Sequence, residues 1–129
     1  VKITAHEART FFLDPKQRLF GFDPETLPDD VFEYWADGPF LGIFVPGPLV
    51  GTWVIHIGAK RVGGLEPHAR AVLNEFWAAR SPERVIAWTP SRLPLAVALA
   101  KRCGFREDGR FPYEDGEIIM TGWSKCQQD

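Results

Sequence analysis

Between residues 40 and 80 the spacing of apolar side chains changes once, and the change constrains the fold. The stretch "FLGIFVPGPLVGTWVIHIGA" gives two β-rich runs around a Pro-Gly-Pro turn, which predicts a hairpin in a central antiparallel sheet. In its second run Thr52, Val54 and His56 share one face while Trp53, Ile55 and Ile57 share the other. Both faces are mostly apolar, as expected of a buried central strand. After "KRVGG" the apolar positions Leu65, Ala69, Val72, Leu73, Phe76 and Trp77 recur at three and four residues, which predicts an amphipathic helix ending near Arg80.

Downstream, "RVIAWT" reads as a short apolar strand and "PLAVALAKRC" as a helix, with Pro94 in its first turn and Gly104 placed to end it. "FREDGRF" and "EIIMTGW" are the arms of a closing hairpin around "PYEDG". Upstream, "VKITAHEA" opens as a short strand and "EARTFFL" begins a helix that Pro15 limits. Residues 21–30, dense in Gly, Pro and Asp, read as loop, with Asp29 or Asp30 capping a short helix over "VFEYWAD". The order β, α, α, β, β, α, β, α, β, β has no repeat and no linker. It predicts one α/β (α+β) domain over residues 1–129, a mixed, largely antiparallel central sheet flanked by helices.

Composition narrows the function classes. Of 129 residues, 45% are hydrophobic and 25% charged, with a formal net charge of -2, which suits a globular chain. No block of Lys or Arg forms a phosphate-binding stripe, so nucleic acid is not expected as a partner. No apolar run reaches the roughly 18 residues of a membrane span, and the amino end lacks the order of a signal peptide. A cytoplasmic protein without membrane attachment is expected. Cys103 and Cys126 show no C-x-x-C spacing and no cluster with the three histidines, so neither a metal site nor a disulfide is expected.

Two stretches carry a family resemblance. "AVALAKRCGFREDGRF" is similar to the A-x-x-L-Y-x-K-x-GF-x-x-x-G segment of the GNAT (Gcn5-related N-acetyltransferase) superfamily, with Ala96, Leu99, Gly104 and Phe105 on matching positions. "HIGAKRVGGLEPHARAVL" occupies the place of that family's pyrophosphate loop, Q/R-x-x-G-x-G/A, where Arg61 and Gly64 match. The resemblance implies a GNAT-like acyl-CoA N-acyltransferase fold that binds acetyl-CoA between "WVIHIG" and "RVIAWT". Ile55 and Ile57 would then flank the cofactor, with Arg61, Val62, Gly63, Gly64, Leu65 and Glu66 around its diphosphate. Such a loop works because backbone N–H groups at a helix start face phosphates directly; Lys60 and Arg61 add positive charge.

The chain departs from the family twice. Glu66 stands where a small residue is usual, and Ala100 stands where many members carry the Tyr that protonates the leaving thiolate. Ser91, Thr89 or Tyr113 could serve in its place. His56 is the base candidate for deprotonating the amine, and Glu33, Asp37 and Asp115 could line an acceptor pocket; His6 and His68 have no partner at useful spacing. The implied activity is transfer of an acetyl group to an amine of a small molecule or protein. The alternative, from a looser similarity to GNAT-like proteins of tailed bacteriophages, is a module of virion assembly that contacts a protein partner or a second copy of itself. Of the five tryptophans most should be core.

Overall fold

Seven strands form one sheet in the order β1-β2-β3-β4-β5-β7-β6. The computed structural model describes residues 1–12, 27–28, 30–61 and 63–124. The elements are β1 (Lys2–Ile3), α1 (Ala5–Ala8) with a 3-10 turn over Arg9–Phe12, β2 (Glu33–Asp37), β3 (Phe40–Pro46), β4 (Thr52–Ala59), α2 (Glu66–Arg80), β5 (Arg84–Pro90), α3 (Pro94–Arg102), β6 (Arg106–Tyr113) and β7 (Gly116–Ser124). Every neighbouring pair is antiparallel except β4 and β5, which run parallel. A mixed, largely antiparallel sheet with flanking helices is therefore what forms. Among the described residues no helix is long and apolar enough to cross a membrane.

One predicted element is corrected. "VFEYWAD" is not a helix: Glu33–Asp37 is strand β2, paired with Phe40–Phe44 across a turn in which Gly38 adopts φ +53°. Tyr34 and Trp35 are both buried, yet in different cores on opposite faces of the sheet. Only the two-residue period of a strand sends adjacent side chains to opposite sides. Of its proposed caps, Asp29 lies outside the described residues and Asp30 precedes a strand. Pro15 and most of the 21–30 loop also lie outside them, as does Cys126; Cys103 is buried and free.

The two faces hold separate cores. On one, α2 lays Ala69, Val72, Leu73 and Phe76 against the sheet, with the Phe76 ring stacked on Phe44 at 3.7 Å between centroids. Truncating a fully buried Phe of this kind costs about 3–5 kcal/mol. On the other, Ala5, Ala8, Phe11 and Phe12 cover Leu41 and Ile43. Trp35 and Trp123 are core, Trp53 and Trp77 pack at its edge, and Trp88 is 53% exposed.

Candidate functional site

β4 and β5 begin side by side and then part. Thr52, Trp53 and Val54 pair with Arg84, Val85 and Ile86, and the parallel register ends there. Beyond it β4 stays with β3 as far as Ala59, and β5 stays with β7 as far as Pro90. Each strand is held by a longer antiparallel ladder on its far side, so the accumulating twist of the sheet opens the short parallel pair. Past Val54 the β5-facing edge of β4 lies outside that ladder, in a wedge whose walls are Ile55–Ile57 and Ala87–Pro90.

Helix α3 roofs the wedge without closing it. None of its residues is buried, although Ala96, Leu99 and Ala100, together with Cys103 beyond its end, turn one apolar face inward. Beneath lies a mostly apolar cavity of about 80 Å³. Ile57, Leu93, Ala96 and Leu99 also line a wider groove of about 530 Å³ that runs outward between the starts of α2 and α3.

The groove's outer end is built by the loop before α2. Gly63 and Gly64 have φ of +85° and +65°, a region that suits glycine. A Cβ at Gly63 would meet nothing within 4 Å, and one at Gly64 only the Arg61 guanidinium at 3.4 Å. The glycines are thus required by backbone conformation, and no packed side chain stands over them. Leu65 occupies the N-cap of α2 and makes no side-chain capping bond, so the first-turn N–H groups are not capped in that way. Arg61 and Arg102 bring positive charge to the groove walls, while Arg92, also on the wall, pairs with Glu114 at 3.2 Å; Val62 lies outside the described residues.

Glu66 does line the groove, but Arg70 donates to its carboxylate at 3.3 Å, and Arg70 also donates to the Arg102 carbonyl. The pairing offsets the negative charge that would oppose a phosphate. The expected contribution of Lys60 is corrected: its Nζ lies 4.6 Å from the Phe11 ring centroid, and Lys60 is not part of the groove wall.

The catalytic candidates fall at two places. His56 lines the inner cavity from β4, and burial pulls its pKa down to about 4, so the imidazole is neutral at neutral pH. Thr89 also reaches the cavity; it is 9% exposed, and among the described residues its hydroxyl has no hydrogen-bond partner. Ser91 and Tyr113 line a separate polar pocket of about 280 Å³ with Arg92, Glu114, Asp115 and Glu117. There the Ser91 hydroxyl accepts from the Glu117 N–H at 3.0 Å, and the Ser91 N–H donates to the Glu117 carbonyl at 2.8 Å. Pro90 adjoins both spaces. Trp88, Phe111 and Tyr113, all partly exposed, line up on this side of β5, β7 and β6 through the registers Trp88↔Met120 and Phe111↔Ile118.

Two carboxylates expected at an acceptor pocket are engaged elsewhere. Glu33 pairs with Arg80 at 2.8 Å, and the Asp37 carboxylate lies 2.7 Å from His68 Nδ1, from which it accepts when that nitrogen carries the proton. His68 thus has a partner that its position in the sequence does not reveal. The inward face of α3 and the guanidinium groups of Arg92 and Arg102 were missed as site residues, although Ala96, Leu99, Ala100 and Cys103 recur at helical spacing. Among the described residues no group of three or more His, Cys, Asp or Glu is placed to hold a metal ion.

No family model matches the chain, and no curated protein matches its sequence. Solved structures match its fold. A mutant spermidine N-acetyltransferase from Vibrio cholerae superposes with a TM-score of 0.72 at 12% identity, covering 98% of this chain and 92% of that one. The ribosomal-protein-S5-alanine acetyltransferase from Vibrio fischeri gives 0.69 at 10% identity, over 96% and 91%. AAC(6')-Ib in complex with ribostamycin and coenzyme A gives 0.61 at 10% identity, over 77% and 67%. The chain has the GNAT acyl-CoA N-acyltransferase fold.

Proposed function

We propose that the protein is an N-acyltransferase that takes an acyl group from acyl-coenzyme A, acetyl-CoA being the simplest donor, and moves it to an amine. The observation that carries this reading is the continuous groove from the Gly63–Gly64 loop, under the unburied face of α3, into the wedge between β4 and β5. Its chemistry changes along its length as coenzyme A does. Arg61 and the backbone N–H groups around Gly63, Gly64, Leu65 and Glu66 suit a diphosphate. The open edge of β4 at Ile55–Ile57 offers peptide groups to the amides of the pantetheine arm, and the apolar end suits the thioester.

In the transfer, the amine nitrogen bonds to the thioester carbon, the carbon–sulfur bond breaks, and a proton must leave the amine. His56, kept neutral by burial, is in the right form to accept that proton directly or through water. With Ala100 in place of a tyrosine, the Thr89 hydroxyl is the group best placed to donate a hydrogen bond to the departing sulfur. Ser91 ties β5 to β7, and with Tyr113 it walls the polar pocket through which the amine would approach. Two of the similar structures bear the names of a spermidine N-acetyltransferase and a ribosomal-protein-S5-alanine acetyltransferase, and a third holds ribostamycin with coenzyme A, which supports an amine acceptor of small-molecule or protein origin. An open groove favours this enzymatic reading over a module of assembly.

Calorimetric titration with acetyl-CoA tests the proposal, with dephospho-coenzyme A and the Arg61→Ala variant as controls. Micromolar binding that weakens in the variant supports it. Absence of binding up to millimolar concentration overturns it.

A further inference from the structure

The side of the sheet away from α2 and α3 carries a second apolar surface, beyond the part that Phe11 and Phe12 cover. The alternation of β5, β7 and β6 puts Trp88, Met120, Ile118, Phe111 and Tyr113 on that side, in the cross-strand registers Trp88↔Met120 and Phe111↔Ile118. Trp88, Phe111 and Tyr113 are 53%, 38% and 40% exposed. Large aromatic side chains grouped in the open mark a contact surface. His56 belongs to the same side, two residues beyond Val54 on β4. The parallel ladder pairs Val54 with Ile86, and the same count carried two residues further sets His56 against Trp88, where the strands have parted. Both residues line the wedge, so the aromatic surface is continuous with the place where the thioester would lie.

Resting on the transferase reading above, we infer that the acceptor is an aromatic monoamine, a flat ring carrying its nitrogen on a short carbon chain, with the ring on Trp88 and Met120 and the nitrogen reaching into the wedge beside His56. Flat rings meet a Trp face in stacked or edge-on contact and meet a thioether sulfur at their edges. Neighbouring strands lie about 4.8 Å apart, so a chain of two or three carbons spans from a ring on Trp88 toward β4. Charge argues against a polyamine. The polar pocket at the end of this surface holds Glu114, Asp115 and Glu117, but Arg92 pairs with Glu114 at 3.2 Å and Arg110 with Glu117 at 3.6 Å. Among the described residues Asp115 is the one carboxylate of that pocket outside an ion pair, and a single exposed carboxylate contributes little toward holding several ammonium groups. In the reaction the amine nitrogen takes the acetyl carbon and the carbon–sulfur bond breaks. The proton that the nitrogen gives up is balanced by the one that the thiolate takes, which leaves the N-acetylated amine and coenzyme A.

Acetylation by the unaltered protein, with acetyl-CoA as donor and phenethylamine, tryptamine, butylamine and spermidine as acceptors, decides the matter. Coenzyme A release is followed with a thiol reagent and the products by mass spectrometry. The two aromatic amines should exceed butylamine and spermidine in kcat/KM by about tenfold, the worth of one stacked ring. Trp88→Ala should abolish the preference for phenethylamine over butylamine and Trp88→Phe should keep it, a ratio that a general loss of stability does not move. Equal or better use of butylamine or spermidine, or a preference untouched in Trp88→Ala, overturns the inference. So does calorimetric binding of acetyl-CoA with neither aromatic amine acetylated, which leaves the donor site standing. If acetyl-CoA itself fails to bind, the transferase reading fails, and the acceptor assignment with it.

Discussion

Replacing Ala100 by leucine sets stability against donor binding. The three added carbons point into the mostly apolar cavity of about 80 Å³, where burying them is worth roughly 2 kcal/mol at ~0.8 kcal/mol per carbon. If the side chain fits without displacing Leu99 or Phe105, most of that is recovered. With an unfolding entropy of about 2.1 cal/mol/K per residue over 129 residues, Tm should rise by roughly 7 °C. The same carbons occupy the inner end of the donor wedge, so acetyl-CoA binding should weaken about tenfold or more, the roughly 1–3 kcal/mol cost of overpacking now falling on the complex. Thermal unfolding followed by circular dichroism, then calorimetric titration with acetyl-CoA, measures both effects on one preparation. A raised Tm with acetyl-CoA affinity unchanged shows that the void exists but is not part of the donor site. A Tm lowered by overpacking, about 1–3 kcal/mol when a core has no room, refutes the void itself.

Three further expectations follow from the site. Arg61→Ala should weaken coenzyme A binding about 10- to 100-fold, the worth of a charge-assisted hydrogen bond, whereas Lys60→Ala should leave it unchanged because Lys60 rests on Phe11; equal losses would contradict the assignment of the groove. Thr89→Val keeps the shape and removes the hydroxyl, so kcat should fall about 10- to 100-fold with KM little altered; unchanged kcat would remove Thr89 from the mechanism. His56 sets a pH dependence of stability. Its folded pKa of about 4 lies below the ordinary 6.5, so the unfolded chain binds the proton more readily, and stability should drop as pH falls from about 6.5 to 4, by up to about 3 kcal/mol. His56→Gln should flatten urea-denaturation midpoints across that window; an unaltered slope would show that other groups produce it.

Much of the fold could be read from the sequence where apolar spacing was long enough to establish a period. The hairpin of β3 and β4 and the helices α2 and α3 were legible for that reason. β2 was not, because five residues with both faces buried show no alternation, and Tyr34 and Trp35 side by side look the same in either period. Lys60 illustrates a rule not carried far enough: it continues the face of His56 and Gly58, which turns it toward Phe11, while Arg61 continues the face of Ile55 and Ile57. The His68–Asp37 pair depends on a register that joins positions 31 apart, which no local pattern encodes. Ala100 was legible as a missing hydroxyl but not as a volume, since a cavity exists only once three elements meet around it.

The short parallel ladder between β4 and β5 has a consequence for how the chain can be divided. Residues up to Arg80 hold β1–β4 and α2, those from Arg84 hold β5, β7, β6 and α3, and each set keeps its antiparallel ladders to itself. The seam includes the pairs Thr52↔Arg84, Trp53↔Val85 and Val54↔Ile86, the Arg70 bond to the Arg102 carbonyl, and core contacts beneath α2 such as Trp77 on Trp123. A cut at Ser81–Glu83 therefore severs one connection and no ladder, leaving two complementary fragments whose reassembly would restore the wedge, so that donor affinity becomes a direct readout of fragment complementation.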